Sequence, residues 1–138
     1  MLVIDASMAL AWVFERQHPE DGLRASRLLS TCGNQPWWVP GLWHLEVANA
    51  LLVAERRGVI TSTASDLFRA RLQVLPIETD ATPVQDSEPR VLAIARSQSL
   101  SSYDATYLEL AQRLGAHLAS FDRRLNEAAQ RLGVELQP

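Results

Sequence analysis

A chain of 138 residues, 47% apolar and 21% charged, has the size and composition of one folded domain that needs no disulfide or metal staple, and it lies far from the composition of disorder. Its net charge of −3 argues against a generic basic nucleic-acid binder, and its single cysteine, Cys32, excludes an intrachain disulfide, a Cys-rich zinc site and an iron–sulfur site. No apolar run approaches the roughly 18 residues that span a bilayer, and Met1 to Asp5 lacks the basic leader of a secretory signal, so a cytoplasmic location away from membranes is expected.

In chain order, Leu2 to Asp5 reads as a short buried strand, followed by a helix from Ala6 to Arg16 that places Met8, Trp12 and Glu15 near one face. Pro19 ends that helix, and a second runs from Glu20 to Ser30. Cys32 to Pro36 then forms a turn and Trp37 to Val39 a strand. Leu42 to Arg57 is the clearest helix. It stops at Gly58 with two arginines in its last turn, where they favour the negative end of the helix dipole. Thr61 or Ser62 caps a helix reaching about Gln73, Val74 to Glu78 is extended, and a helix runs from Pro83 or Val84 to Ser97. Ser101-Ser102 supplies the cap for a helix from Tyr103 to Leu114, ended by Gly115. His117 to Asp122 is a strand, Arg123 to Leu132 a helix with Gly133 after it, and Val134 to Leu136 a last short strand.

Strands alternating with helices predict an α/β fold, a single domain over residues 1–138. Its central parallel sheet has about four to five short strands flanked by helices on both faces. Ligands of such sheets sit outside the carboxyl ends of the strands, which is where Asp5 and Asp122 fall.

Each of these two acids has two readings, as a cap of the following helix or as an acid displayed at the sheet rim. Glu46 is more informative, because Leu42, Trp43, Asn49 and Ala50 surround it at helical spacing and Val53 lies a further turn on. A carboxylate on so apolar a face is costly unless a cation or donor meets it. Asp104 shares a face with Tyr107, Leu108 and Ala111, although an acid in a first turn also suits the helix dipole. Four carboxylates brought together repel and raise at least one pKa, so such a cluster points to a hard cation, Mg²⁺ or Mn²⁺. With the four set aside, the net charge of −3 becomes +1, and all 13 basic residues are arginine.

Other motifs lead nowhere. His44 and Glu46 form the H-x-E of zinc deaminases without the P-C-x-x-C those enzymes require. His18 and His117 lack ligand-like spacing, and the absence of lysine removes the P-loop and the functional lysine of phosphoacceptor receiver domains.

The motifs V-I-D-A-S at Val3 to Ser7, L-E-V-A-N-A-L at Leu45 to Leu51, Y-D-A-T-Y at Tyr103 to Tyr107 and L-A-S-F-D-R-R-L at Leu118 to Leu125 resemble, in order and spacing, those of the PIN-domain nucleases. The likeness is greatest to the VapC-like toxins of toxin–antitoxin modules. It runs over nearly the whole chain. It implies an acidic quartet of Asp5, Glu46, Asp104 and Asp122 as metal ligands, direct or through water, with Ser7 and Ser120 as supporting hydroxyls and Asn49 orienting Glu46. Ser120 stands where threonine is common and keeps the hydroxyl. The implied activity is Mg²⁺- or Mn²⁺-dependent endoribonucleolytic cleavage of single-stranded or looped RNA. The implied partners are a small cognate antitoxin and a second copy of the chain, for which Trp12, Phe14 and Trp43 offer apolar surface if they are not core. The alternative is a catalytically silent module with the same fold that binds RNA or protein, against which the retention of all four acids counts.

Overall fold

The computed structural model describes residues 1–138 apart from Cys32 and Asn34, and within them the chain forms four strands and seven helices. In chain order these are β1 (Leu2–Ile4), α1 (Ala6–Leu10), α2 (Pro19–Ser30), β2 (Trp37–Val39), α3 (Leu42–Arg56), α4 (Ser62–Leu72), β3 (Ile77–Thr79), α5 (Val84–Gln98), α6 (Ser102–Leu114), β4 (His117–Ala119) and α7 (Arg123–Arg131). The strands form one parallel sheet in the order β3-β2-β1-β4. Leu2 pairs with Trp37 and His117, and Val3 with Trp38 and Leu118. The chain steps from β1 outward to β2 and β3, then returns to the other side of β1 for β4. The strand order therefore reverses between β1 and β4, the place where open parallel sheets bind ligands.

The central strand β1 is apolar and buried along its length because helices cover the sheet, whereas the edge strand β3 carries the exposed Glu78 and Thr79. Val3, Ile4, Val39, Leu118 and Ala119 are fully buried, joined by Met8, Leu51, Leu108, Leu110 and Leu125 from the helices. Trp43 belongs to this core, whereas Trp12 and Phe14 are half-buried beside a groove between the end of α1 and α2. No helix among the described residues is long and apolar enough to cross a membrane.

The caps read from the sequence are made. Thr61 accepts from Ala64 N and Ser101 from Asp104 N, and Gly115 ends α6 at φ 60°, in the left-handed region that glycine enters without steric cost. Several boundaries differ from the expectation. The first helix stops at Leu10 rather than Arg16, and Ala11 to Phe14 continue as tight turns. There the Trp12 indole donates to Ala25 O on α2 at 2.9 Å and packs 5.6 Å from Trp37, so tertiary contacts override the helical pattern. β3 begins at Ile77, because Pro76 cannot donate to the ladder, although its carbonyl accepts from Trp37 N at 2.7 Å. The last strand is one parallel bridge, Leu118 to Leu136, and the turn assigned to Cys32–Pro36 lies partly outside the described residues.

α5 packs along α6 beside an ionic network, centred on the buried Glu109, that the sequence pattern did not reveal. Glu109, 3% exposed, accepts from Arg90 at 3.0 and 3.1 Å and from Arg113 at 2.9 and 3.2 Å. Arg113 also donates to Asp80 at 2.7 Å and to Thr82 at 3.0 Å.

Candidate active site

The parallel pairing of β1 with β4 dictates the site. Each strand ends after three residues, and the chain beyond each turns its side chains into the opening between them. Asp5 follows β1 directly. Its amide donates to Ala119 O at 3.1 Å, and its carboxylate caps α1 by accepting from Met8 N at 3.0 Å. The cap reading and the site reading of Asp5 are thus both satisfied by one side chain, which is 5% exposed.

Two hydroxyls lock this carboxylate. Ser7 Oγ donates to Oδ1 at 2.6 Å and Ser120 Oγ donates to Oδ2. Each hydroxyl also accepts a backbone amide from the loop after β4, Ser7 from Phe121 N and Ser120 from Asp122 N, both at 2.9 Å. Asp122 in turn caps α7 through Leu125 N at 2.9 Å. Side chains from the two ends of the sheet opening therefore form one continuous hydrogen-bonded unit.

Glu46 and Asp104 enter from helices. Glu46 lies in the second turn of α3, half-buried, and accepts the Tyr107 hydroxyl at 2.7 Å. Tyr107 stands one helical turn beyond Asp104 on α6, so a single helix supplies both an acid and the donor for another acid. Asn49 is exposed and has no hydrogen bond to Glu46; Tyr107 orients that carboxylate instead. The sequence carried this signal in the paired tyrosines of Y-D-A-T-Y, where Tyr107 reads first as an apolar neighbour.

The electrostatics tie the four acids into a ring. Burial pushes the pKa of Asp5 above the ordinary 3.8, against hydrogen bonds from Ser120, Ser7 and Met8, and Asp122 adds repulsion. Glu46 is raised above 4.5 by burial and by Asp104 and Asp5, with the Tyr107 hydrogen bond opposing. Asp104 is raised above 3.8 by burial and by Asp122, against Ser101 and Arg124. Burial, reinforced by hydrogen bonding to Glu46 and by the nearby acids, keeps Tyr107 a neutral donor. Asp5 and Asp104 thus each feel the charge of Asp122, and Glu46 feels both Asp104 and Asp5.

All donors in this ring are oxygens, a set suited to a hard divalent cation and unsuited to a thiolate or imidazole site. No three His, Cys, Asp or Glu side chains among the described residues form a group that could hold a metal ion by themselves. The all-oxygen chemistry of the donors fits a cation held by one or two carboxylates with water completing its shell. The histidines lie elsewhere: His44 Nε2 meets Thr79 Oγ1 at 2.8 Å, and His117 Nε2 meets Glu135 at 3.1 Å.

Known proteins agree with this architecture. The chain resembles the crystal structure of VapC20 from Mycobacterium tuberculosis, described as a toxin that cleaves the sarcin-ricin loop. That likeness has TM-score 0.70 and 18% identity and covers 100% of both chains. FitAcB from Neisseria gonorrhoeae matches at TM-score 0.67 and 12% identity over 100% of this chain and 97% of that one. PAE2754 from Pyrobaculum aerophilum matches at TM-score 0.67 and 23% identity over 92% of this chain and 78% of that one. At such identities the likeness establishes the fold alone. No curated protein sequence matches significantly. The sequence profile of the family described as PIN domain covers residues 2–131, nearly the whole chain, and the chain belongs to the PIN-domain family.

Proposed function

We propose that the chain is a divalent-metal-dependent endoribonuclease, the toxin of a toxin–antitoxin module, acting through Asp5, Glu46, Asp104 and Asp122. The observation that carries this reading is the convergence of four carboxylates at the point where the strand order reverses, three of them with pKa values raised by burial and by neighbouring acids. Membership of a nuclease family and the likeness to a solved RNA-cleaving toxin support it.

When bound, Mg²⁺ or Mn²⁺ supplies a water of lowered pKa and offsets charge developing on the phosphate. The residues do the rest. Ser7 and Ser120 fix the Asp5 carboxylate so that it needs no reorganisation, and Tyr107 commits Glu46 Oε1, leaving Oε2 free to face a ligand. Asp104 and Asp122 complete the negative ring from α6 and from the start of α7. No histidine or lysine stands among these groups to act as a general base, so the carboxylates are the groups placed to orient a water and accept its proton.

The same reading gives the chain a small cognate antitoxin and a homodimeric state. It is supported by the apolar side chains Leu45, Val84 and Tyr103, which are 75%, 78% and 68% exposed around a groove of about 460 Å³ next to Glu46 and Asp104 in the chain. The decisive experiment incubates the purified protein with single-stranded RNA and Mn²⁺ or Mg²⁺, beside Asp5→Asn. Cleavage by the wild type that is lost in the variant and on chelation is the expected result. Equal cleavage by both proteins, or none by either, overturns the proposal.

A further inference from the structure

The loop between β4 and α7 carries Ser120 and Asp122, and the hydroxyls described above hold it only in part. Further contacts come from Arg24, in the middle of α2. Its guanidinium donates through NH1 to Ser120 O at 3.4 Å and through NH2 to Gln137 O. Its central carbon lies 5.3 Å from the centroid of the Phe121 ring, which Arg16 also approaches at 4.7 Å. Asn126 Nδ2 adds a second donor to Ser120 O at 3.0 Å. Gln137 is in turn fixed to the sheet, since its amide donates to Leu118 O at 2.8 Å.

One planar group therefore joins α2, the segment beside β4, and both the backbone and the ring of the site loop. A guanidinium suits this task because it offers several donors in a fixed fork and a flat face for an aromatic ring, whereas an ammonium is a single point on a flexible stem. The arrangement is costly to the cation. Burial lowers the pKa of Arg24 from its ordinary value, opposed by the charges of Asp21 and Asp5, and its Nε is buried without a partner. Arg24 and Asp5 feel each other's charge, but its hydrogen bonds go to Ser120 O and Gln137 O and to none of the four acids, so its geometric effect passes through the loop.

We propose that Arg24 is a positioning residue of the acidic site: by bridging Ser120, Phe121 and Gln137 it sets the loop that brings the Ser120 hydroxyl to Asp5 and Asp122 to the ring. The kinetic consequence rests on the nuclease reading, whereas the geometric one does not. A displacement near 1 Å at a reacting centre costs on the order of 100-fold in rate, so loosening the loop acts on turnover rather than on RNA capture.

The test compares the wild type with Arg24→Ala, Arg24→Lys and Arg27→Ala, the last removing an exposed charge from the same helix. With a single-stranded RNA oligonucleotide and Mn²⁺, Arg24→Ala should lower kcat about 10- to 100-fold and leave KM within about twofold. Arg24→Lys should recover part of kcat, and Arg27→Ala should match the wild type. Independently of activity, amide hydrogen exchange of Phe121 and Asp122 should quicken in Arg24→Ala while amides of β1 stay protected. If Arg24→Ala does not fold, the same two readouts on Arg24→Lys decide. A raised KM at unchanged kcat makes Arg24 an RNA contact and overturns the proposal, as does an equal kcat loss in Arg27→Ala or unchanged exchange at Phe121 and Asp122. A wild type that cleaves no RNA defeats the nuclease reading alone, and the exchange comparison still decides whether Arg24 holds the loop.

Discussion

The Tyr107 hydroxyl, on a fully buried ring, donates to Glu46 Oε1 at 2.7 Å and thereby ties α6 to α3 across the acidic ring. This bond is the main favourable contact of the Glu46 carboxylate, and it works against the upward push of burial and neighbouring charge. Tyr107→Phe preserves the ring and deletes the donor. The variant should lose about 1–2 kcal/mol of stability, since a partly buried carboxylate is left with one fewer donor. Its pKa should rise further, so the acidic limb of the pH–activity profile should move to higher pH. Thermal melting and a pH–rate profile check both effects, and an unmoved acidic limb would remove Glu46 from the titrating machinery.

Asp5→Asn should reduce cleavage by about 100-fold or more, because even groups that act only through a metal ligand cost 10- to 100-fold when lost. Stability should change in the opposite sense. Asp5, Glu46 and Asp104 all have folded pKa values above their ordinary ones, so the folded state binds more protons than the unfolded state in the window above about 3.8. Stability from these groups is full below that window and is lost as pH rises through the folded values. In metal-free buffer Asp5→Asn should therefore melt above the wild type at pH 7, with the difference shrinking toward pH 4. Parallel melting curves across that range provide the check.

Divalent cations should reverse this pH penalty by neutralising the ring. At a Mn²⁺ concentration about 100 times its Kd, the folded state should gain about 2.7 kcal/mol. The gain should diminish as pH falls, because protons then compete for the same oxygens. Calorimetric titration in two buffers of different ionisation enthalpy should reveal proton release on binding, and the double variant Asp5→Asn, Asp104→Asn should show neither heat nor a melting shift.

The network behind α6 should respond to pH with the opposite sign. Burial alone would raise the pKa of Asp80, but hydrogen bonds from Arg113 and Thr82 outweigh it and hold the carboxyl below 3.8. Its stabilisation is thus present above that value and is lost as pH falls through the folded pKa. Glu109→Gln should cost roughly 1–3 kcal/mol, less than a fully enclosed pair because Arg90 and Arg113 keep contact with water. Urea unfolding at pH 7 measures this, and RNA cleavage by the folded fraction should be unchanged.

Co-expression with a small adjacent gene should yield a stable complex whose ribonuclease activity is suppressed. Size-exclusion chromatography with light scattering, followed by an RNA cleavage assay before and after removal of the small protein, tests the toxin assignment separately from the nuclease one.

Much of this architecture was legible in the residues. Strand positions followed from short apolar runs, and helix starts from Thr61 and Ser101, because capping chemistry is local. The convergence of Asp5 with Asp122 followed from the rule that parallel strands present their carboxyl ends to ligands. What stayed hidden depends on contacts between distant segments. Trp12 satisfies its indole on Ala25 O and ends a helix that periodicity alone extends to Arg16. Arg24 looks like a solvated arginine of an amphipathic helix until Ser120, 96 positions away, is seen to accept from it. Asn49 is the residue at helical spacing from Glu46, but Tyr107 reaches that carboxylate from another helix, which no spacing along α3 can reveal.

Asp5 and the Ser120 that locks it lie 115 positions apart, and β1, in the middle of the sheet, has β4 as one of its two neighbours. Pairing segments so far apart closes a long loop, and that entropic cost comes before the contact rewards it. Asp5 therefore acquires its Ser120 partner, and the ring its Asp122, only when β4 docks on β1. On the proposed reading, a chain whose β4 has come away from β1 holds no assembled site, so activity reports the long-range closure of the sheet.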